Sequence, residues 1–338
     1  MKALQCVVDC AVVRDNLLSY RRPVILMAKA RCYGLGLEVA EAVEPYVVGY
    51  GVAFGEEGVE LRRRTHKPIL VTTPWWDVVE VVRYSLTPMV QSVADAERLR
   101  AVDSPVSVHL KLNTGMNRFG ISTPREMVAV LGVLGTNPYI RVAGAYTHYA
   151  SAANYAEQNR RLSPMLSLLP RGIAVHTQAT STASRAGFDL LRVGMGAYAH
   201  SVRLYSRVLA VRRLARDECA GYDGVYTATE ACTLAVVAGG YADGISKAFV
   251  GHLVLIGGHL HPIVAVCMDV ALVRLNVPCD VGAEVEILGD TIDPKEVSLY
   301  ETYTGLHGRC EFVYRNIEGK DENHCRQTQG PQVADPQG

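Results

Sequence analysis

Short apolar runs alternate with amphipathic segments over roughly the first 200 residues of the chain. The runs are rich in β-branched side chains, which is typical of strands buried on both faces, and the stretches between them, such as GEEGVELRRR, have the spacing of helices. The predicted strands are Val24–Ala28, Val47–Val52, Pro68–Thr72, Thr87–Val90, Val106–Leu110, Val142–Thr147, Ile173–His176 and Leu190–Val193. Strand and helix in steady alternation imply a parallel sheet with right-handed crossovers. Eight such units predict a (β/α)8, TIM-like barrel, with an open doubly wound sheet as the alternative.

The pattern changes after about residue 205. Runs such as CTLAVVAGGY, HLVLIGGHLHPIVAVC and AEVEILG are β-rich and are separated by Gly, Pro and Asp. They predict a mostly antiparallel β domain over residues 206–318, after a barrel domain over residues 1–205. The last residues, 319–338, are polar and rich in Gly, Pro and Gln, which predicts a disordered tail.

The composition narrows the classes of function. Basic and acidic residues number 34 each, so a formal net charge of zero gives no electrostatic reason to expect nucleic acid or an anionic membrane as partner. Nine scattered cysteines without a C-x-x-C pair are typical of reduced cytosolic thiols and indicate neither a disulfide framework nor a metal site. No uncharged apolar run approaches the roughly 20 residues that span a bilayer, and no signal peptide is evident. We therefore expect a soluble cytoplasmic protein.

Polar residues follow the carboxyl ends of several predicted strands, where barrel enzymes carry their catalytic groups. These residues are Lys29 after the first strand, Lys111 and Arg118 after the fifth, His148 after the sixth, Thr180 and Ser181 after the seventh, and Arg192 with Gly194 at the eighth. Backbone N–H groups and short hydroxyl side chains after the last two strands often hold a phosphate in this fold. The segments QATST and RVGMG have that composition, so the sequence allows a phosphorylated ligand.

Lys29 closes the apolar run VILMA and has two interpretations. An unpaired buried ammonium is costly, so the lysine either extends its charge to solvent from the strand end or loses it. The second interpretation is an amine desolvated enough to act as a nucleophile, such as a Schiff-base lysine. The position alone leaves both open.

Five segments in order carry a resemblance to a known family: AKARCYGLG, VHLKLNTGMNRFG, THYASA, GYADG and CMD. With them the sequence resembles the alanine racemase family, pyridoxal 5'-phosphate (PLP) enzymes of fold type III. The resemblance runs from VVDCAVVRDNL near the start to SLYETYTGL near residue 300. It implies a barrel that binds PLP, followed by a β domain.

The resemblance implies a set of cofactor residues. Lys29 takes the place of the lysine that binds PLP as a Schiff base, and Arg192 that of the arginine facing the pyridine nitrogen. A guanidinium keeps its proton, so the pyridine nitrogen should stay unprotonated, which limits side reactions such as transamination. His148 is expected to hold Arg192 in place. The residues implied to hold the phosphate are Tyr33, Thr180, Gly194 and Met195.

The resemblance also implies how the reaction is shared. Tyr241 matches the catalytic tyrosine, which in the family reaches the active site of the other subunit, so a homodimer with shared active sites is expected. Met268 and Asp269 would arrive from the partner too and bind substrate, together with Arg118. Lys111 matches a lysine that is carbamylated in many members, where the resulting anion orients an arginine, here Arg118, near the phenolic oxygen of PLP, so Arg118 is expected to bind the cofactor too.

The expected activity is racemisation of a small amino acid, L- to D-alanine, by Lys29 and Tyr241 on opposite faces of the Cα atom. In a bacterium D-alanine would feed peptidoglycan precursors. Five positions depart from the family: Leu35, Asn113, Ala179, Ala265 and Gly308. They leave open a racemase of serine or of broader specificity. A PLP-binding protein without catalysis and a fold type III decarboxylase are weaker alternatives, because the first would lack GYADG and the second needs a C-D-S type motif.

Overall fold

A computed structural model describes residues 2–178, 188, 190–292, 297–306, 308–317 and 326–328. The chain divides into two compact units. One contains Val13–Cys32 and Ala40–Tyr198, and the other contains Met1–Val12, Tyr33–Val39 and Ala199–Gly338. No helix of the described residues is both long enough and apolar enough to cross a membrane.

The first unit is built on a closed barrel of eight parallel strands. The strands are Val24–Met27, Gly49–Val52, Ile69–Val71, Leu86–Val90, Val106–Lys111, Ile140–Tyr146, Ala174–Gln178 and Leu190–Val193. The first strand pairs with the eighth, Leu26 lying opposite Val193, so the predicted barrel is confirmed and the open sheet is wrong. Strand side chains such as Leu26 and Ile69 are fully buried, at 0% exposure, as expected of parallel strands covered on both faces.

Several helices connect the barrel strands. The helices of the described residues are Cys10–Ser19, Leu37–Ala42, Gly55–Arg62, Val78–Arg83, Val93–Arg98, Pro124–Leu134, Tyr155–Leu166, Met195–Tyr198 and Leu299–Gly305, and Lys29–Tyr33 is a short left-handed turn. Short 3-10 turns are Glu44–Tyr46, Tyr222–Gly224, Tyr241–Asp243 and Lys247–Phe249. Side chains cap several of the helices: the Asp77 carboxylate accepts from the N–H groups of Val79 and Glu80, which would otherwise lack partners.

The second unit is a nine-stranded, mostly antiparallel sheet, as predicted. Its order is Cys232–Ala238, Val270–Arg274, His259–Val266, Leu253–Ile256, Glu284–Leu288, Val202–Leu214, Leu4–Asp9, Cys310–Arg315 and Arg326–Thr328. A separate hairpin pairs Cys219–Ala220 with Tyr226–Thr227. The long strand Val202–Leu214 pairs with Glu284–Leu288 through its first half and with Cys232–Ala238 through its second, so part of the sheet folds back on itself.

Two segments differ from the expected domain division. Leu4–Asp9 belongs to the second unit, where it lies antiparallel to Val202–Leu214 and parallel to Cys310–Arg315. Its side chains at Cys6 and Val8 are fully buried, so burial in this sheet decides where the strand lies. Within the predicted tail, Arg326–Thr328 pairs with Cys310–Arg315, and the other residues from 318 onwards lie outside the described part of the chain.

Candidate active site

Lys29 lies two residues after Met27, the carboxyl end of the first barrel strand. The side chain is partly buried, and burial is the main cause that lowers the pKa of its amine, with a further lowering by the Arg118 guanidinium. The Glu57 carboxylate acts in the opposite direction and raises it. The net shift is downward, so a larger fraction of this amine is neutral near pH 7 than of an ordinary lysine. This favours the interpretation of Lys29 as a nucleophile.

The backbone after Lys29 forms a left-handed turn. Ala30, Arg31, Cys32 and Tyr33 have φ angles of 49°, 52°, 57° and 59°. This region disfavours non-glycine residues, at a cost of roughly 1–2 kcal/mol each. Glu57 holds the start of the turn: one carboxylate oxygen accepts from Ala30 N–H at 2.7 Å, and the other accepts from Ala53 N–H at 2.7 Å. Strain retained in this way is found where a functional group has to be positioned.

Arg192 lies inside the barrel on the eighth strand, at 4% exposure. Its Nη2 donates to the carbonyl of Thr147 at 2.8 Å, and its Nη1 lies 2.8 Å from Nδ1 of His176. Burial, the main cause, lowers the pKa of the guanidinium to about 10; Arg118 lowers it further and Tyr146 raises it. Arg192 therefore remains a cation at neutral pH, with two of its nitrogens held by the barrel.

His176 takes the position that the sequence assigned to His148. The hydrogen bonds of Arg192 go to His176 and to the backbone of Thr147, not to the His148 imidazole, so that expectation is wrong. His176 lies on the seventh strand, the direct neighbour of the eighth, and at the end of the sixth strand Arg192 binds the Thr147 carbonyl.

His148 instead lies among cations. Burial, the first cause, lowers its pKa to about 3, and Arg192, Lys111, Arg118 and Lys29 lower it further. These four are the cationic residues that the sequence predicted for the site, and their common effect on one imidazole places them in one region of the barrel. His148 is therefore a neutral ring at pH 7.

Lys111 is the last residue of the fifth strand rather than a residue after it, and it is 6% exposed. Burial lowers its pKa well below the ordinary value, and Arg192 and Arg118 add to the shift. Its Nζ lies 4.9 Å from the centre of the Tyr146 ring, and the guanidinium carbon of Arg192 lies 4.4 Å from the same centre. Two cationic groups thus contact one buried aromatic ring.

Sequence reasoning missed Tyr146, which is 3% exposed. Its hydroxyl is buried and has no hydrogen-bond partner among the described residues. The ring stacks on His176 at 5.1 Å between centroids and 16° between planes. A signal was present, because Tyr146 precedes the recognised segment THYASA by one residue.

Arg118 lies in the loop that follows Lys111 and is exposed. The loop returns to its strand through backbone bonds: Asn113 N–H donates to Ile121 C=O and Ile121 N–H donates to Lys111 C=O, both at 2.8 Å. The Asn113 side chain accepts from Asn117 N–H at 3.0 Å and donates to the Ser122 hydroxyl. This departure from the family pattern therefore organises the loop that carries Arg118.

The remaining predicted cofactor residues are placed as follows. Gly194 and Met195 follow the eighth strand, and Met195 begins the helix Met195–Tyr198. Tyr33 belongs to the second unit, is 6% exposed and contacts the ring of Tyr300 edge-on at 5.7 Å. Thr180, Ser181 and Ala179 lie outside the described residues.

In the second unit, two loops present the predicted Tyr241, Met268 and Asp269. Tyr241 is 40% exposed and Met268 is 46% exposed. Tyr241 N–H donates to Cys267 C=O at 3.0 Å, and Ala242 N–H donates to Met268 C=O at 3.1 Å. Added side-chain atoms at Gly240 would lie 2.2 Å from the Cys267 oxygen, so only glycine allows this approach. The two loops form one exposed surface.

Arg309, which sequence reasoning missed, joins these loops. Its Nε and Nη2 donate to the Asp243 carboxylate at 2.8 and 3.0 Å, and its Nη1 donates to Asp269. Asp243 is 5% exposed and also accepts from Gly240 N–H at 3.0 Å. The arginine therefore fixes the turn of Tyr241 and the turn of Asp269 together.

The first unit is a closed barrel with an amine and a buried guanidinium at the carboxyl ends of its strands, and the second unit is a β unit with an exposed tyrosine. These features define a two-unit barrel enzyme with a cationic site. Residues 9–202 match the family described as "Alanine racemase, N-terminal domain", and residues 201–314 match "Alanine racemase, C-terminal domain". The chain belongs to the alanine racemase family and is an isomerase of the racemase class.

Individual alanine racemases are similar to the chain over most of its length. An alanine racemase of Listeria monocytogenes is 30% identical over 322 residues, covering 84% of this chain and 87% of that protein. One of Geobacillus stearothermophilus is 29% identical over 352 residues, covering 91% of each chain. The crystal structure of alanine racemase from E. faecalis has a TM-score of 0.83 at 25% identity and covers 93% of this chain and 98% of its own. The Bartonella henselae enzyme, solved with covalently bound pyridoxal phosphate, has a TM-score of 0.83 at 21% identity and covers 93% and 100%.

Proposed function

We propose that the protein is a PLP-dependent alanine racemase that interconverts L- and D-alanine by moving the Cα proton between two bases. The observation that carries the proposal is Lys29: a partly buried amine with a lowered pKa, held by a strained turn at the mouth of the barrel. Membership of the alanine racemase family supports the choice of alanine.

The residues of the barrel fit PLP, an anionic aldehyde with a phosphate. Lys29 offers an amine for covalent attachment, and the cations around His148 offer a positive environment for the phosphate and the ring oxygen. Arg192 offers a guanidinium that stays charged, so it can donate to the pyridine nitrogen but cannot protonate it. When bound, PLP supplies an electron sink that makes the Cα–H bond of an amino acid acidic.

The chain's own residues would then move the proton. Lys29, with its pKa lowered by burial, accepts or returns the Cα proton on one face. Tyr241 serves the opposite face through its phenol oxygen. Its exposure of 40% suits a role in the active site of a second subunit, and we propose a homodimer in which the partner's Tyr241 completes each site. Two bases on opposite faces invert the centre, as a racemase requires.

We keep the other assigned roles as proposals. Tyr33, Thr180, Gly194 and Met195 bind the phosphate, and His148 contributes a neutral ring beside the cofactor. Arg118 and, from the partner, Met268 and Asp269 bind the substrate carboxylate and its surroundings; the exposure of Met268 and Asp269 supports this. Asp269 is held by Arg309, so its backbone is positioned before substrate arrives.

We also propose that Lys111 is carbamylated. Carbamate forms when a neutral amine adds to CO2 and releases a proton, and the buried Lys111 amine has the lowered pKa that this step needs. The product is an anion beside Arg118 and Arg192, which offsets part of the positive charge in the barrel. Its oxygens would also offer acceptors beside the Tyr146 ring, whose hydroxyl has no partner among the described residues.

The decisive experiment mixes purified protein, PLP and L-alanine in D2O and follows Cα deuteration and D-alanine together. We expect Cα deuteration and D-alanine formation at similar rates. Deuteration without D-alanine would show that only one of the two bases works. If protein that binds PLP forms neither deuterated alanine nor D-alanine, alanine is refuted as the substrate.

A second candidate is a racemase of serine or of broader range, because Leu35 and Ala265 depart from the family pattern. The same D2O experiment with L-serine and with larger amino acids separates the two, and we expect alanine to be the best substrate. A cytoplasmic location and a role in supplying D-alanine for peptidoglycan remain predictions. None of the eight cysteines of the described residues forms a disulfide, which supports a reducing compartment.

A further inference from the structure

A chain of two histidines extends from Arg192 through the barrel interior to the fifth strand. Nη1 of Arg192 lies 2.8 Å from Nδ1 of His176, and Nε2 of His176 lies 2.8 Å from Nδ1 of His109. We propose that His109 is a positioning residue for the cofactor arginine: it fixes the tautomer of His176, and His176 in turn fixes Arg192. This inference rests on the proposed function of Arg192 toward the pyridine ring of PLP.

The donor and acceptor roles along this chain follow from Arg192. A guanidinium has only N–H donors, so Nδ1 of His176 must be the acceptor and carry no proton. In a neutral imidazole the proton then lies on Nε2, which faces His109. Nδ1 of His109 must accept it, so the proton of His109 lies on its own Nε2. One arginine thus determines the protonation of two rings.

Both rings are neutral at pH 7, as this assignment requires. Burial, the first cause, lowers the pKa of His109 to about 4 and that of His176 well below its ordinary value. The charged groups that act on the pair are Arg192, Arg141 and Lys111, all cations, and they shift both pKa values in the same direction.

The barrel is shaped to let His109 reach His176. The fifth and seventh strands are separated by the sixth, where a register shift places Gly144 opposite His109. A Cβ atom at Gly144 would lie 2.7 Å from Cε1 and 2.8 Å from Nε2 of His109. Glycine at this position is therefore required for the imidazole to cross the sixth strand. The Tyr146 ring, stacked on His176, holds that ring in plane.

The alternative tautomer of His176 shows what His109 prevents. With its proton on Nδ1, His176 would face Arg192 donor to donor, and the guanidinium would lose one of its two anchors. His109 disfavours this state because its Nδ1 is the acceptor for the Nε2 proton. Removing that acceptor leaves a buried donor unsatisfied and makes the alternative tautomer competitive.

Two variants separate positioning from packing. In His109→Asn, Oδ1 lies the same number of bonds from the backbone as Nδ1 and keeps the acceptor. In His109→Leu the acceptor is lost; His109 borders an apolar cavity of about 140 Å³, with Leu70 and Leu190 in its lining, so leucine can be accommodated. We expect kcat for racemisation to fall by about tenfold to a hundredfold in His109→Leu, with little change in KM, and to stay within about threefold in His109→Asn.

The direct readout is the tautomer of His176, measured by 15N NMR on full-length protein with labelled histidine, before and after PLP is added. We expect an unprotonated Nδ1 and a protonated Nε2 in the wild type and in His109→Asn, and a shift toward protonated Nδ1 in His109→Leu. A wild-type His176 protonated on Nδ1 would overturn the proposal without any variant. So would an unchanged tautomer and kcat in His109→Leu. If the wild type proves inactive toward every amino acid, the proposed function fails while the tautomer measurement still decides the role of His109.

Discussion

Arg309 donates two hydrogen bonds to the buried carboxylate of Asp243, from Nε at 2.8 Å and from Nη2 at 3.0 Å. The two residues are 66 positions apart in the chain, and Asp243 lies two residues after Tyr241. Planar pairing of this kind restrains orientation as well as distance. Because Arg309 also binds Asp269, one side chain sets the mutual position of the tyrosine turn and the substrate-binding turn.

Arg309→Leu should therefore weaken catalysis without disturbing the barrel. The Asp243 carboxylate would stay buried without its partner, and we expect a loss of about 1–2 kcal/mol in the free energy of unfolding, because Arg309 is itself half exposed. We expect kcat to fall by at least about tenfold, since the tyrosine turn loses its anchor.

The matched control is Arg203→Leu, which breaks a bidentate pair with Asp290 of similar geometry in the same unit. That surface pair should contribute less than about 1 kcal/mol, and the activity should be unchanged. Equal losses of activity in the two variants would show that Arg309 has no special link to Tyr241.

Lys29→Ala should abolish racemisation and remove the absorption band of covalently bound PLP, because alanine has no amine to attach the cofactor or to move the Cα proton. Activity with alanine and the absorption spectrum are measured on the same protein. Lys247→Ala, at an exposed lysine, is the control and should behave as wild type. Retained turnover in Lys29→Ala would remove Lys29 from the mechanism.

Tyr241→Phe should impair the two enantiomers unequally. Phenylalanine keeps the ring but lacks the proton-transferring oxygen, and loss of a general base costs about a hundredfold or more. Cα deuteration of L-alanine and of D-alanine in D2O is measured separately, and one of them should continue through Lys29. Equal residual rates for both enantiomers would argue against two bases on opposite faces.

The stability of the protein should decline in acid partly through His109. Its pKa is about 4 in the folded state, so between the unfolded value near 6.5 and about 4 the unfolded state binds more protons, and stability is lost as the pH falls through that window. His109→Asn should reduce the drop in unfolding free energy between pH 7 and pH 5 by about 2 kcal/mol. Urea unfolding at the two pH values measures this, and His66→Asn, at an exposed histidine, should leave the drop unchanged.

Carbamylation of Lys111 predicts a 13C carbamate resonance when the protein is equilibrated with 13C-bicarbonate near pH 7.5. Burial lowers the pKa of this amine, so a larger fraction of it is neutral and able to react there than of an ordinary lysine, and acidification should reduce the signal as CO2 is released. Lys111→Met should lack the resonance. Electron density that shows an unmodified Lys111 in protein kept in bicarbonate would contradict the proposal.

The eight barrel strands could be predicted because the sequences of strands buried on both faces are short, continuous apolar runs. Lys29, Lys111, His148 and Arg192 could be predicted because the fold places functional groups at strand ends. His109 and His176 lie within strands, where one polar residue in an apolar run gives no indication of its partner. Tyr146 ends the sixth strand and was missed although it adjoins the segment THYASA. Arg309 was missed for a related reason, since its partner Asp243 is distant in sequence.

The sequence by itself determined the strands, the change of pattern near residue 205 and the residues that carry the family resemblance, because these depend on local periodicity and on short motifs. Only the tertiary structure decided that the first strand closes on the eighth, that Leu4–Asp9 joins the second unit, and that Arg192 binds His176 rather than His148. The physical reason is register. A shift of one residue between Val108 and His109 sets Gly144 opposite His109, and hydrogen bonds between side chains on separate strands depend on such shifts, which local sequence does not specify.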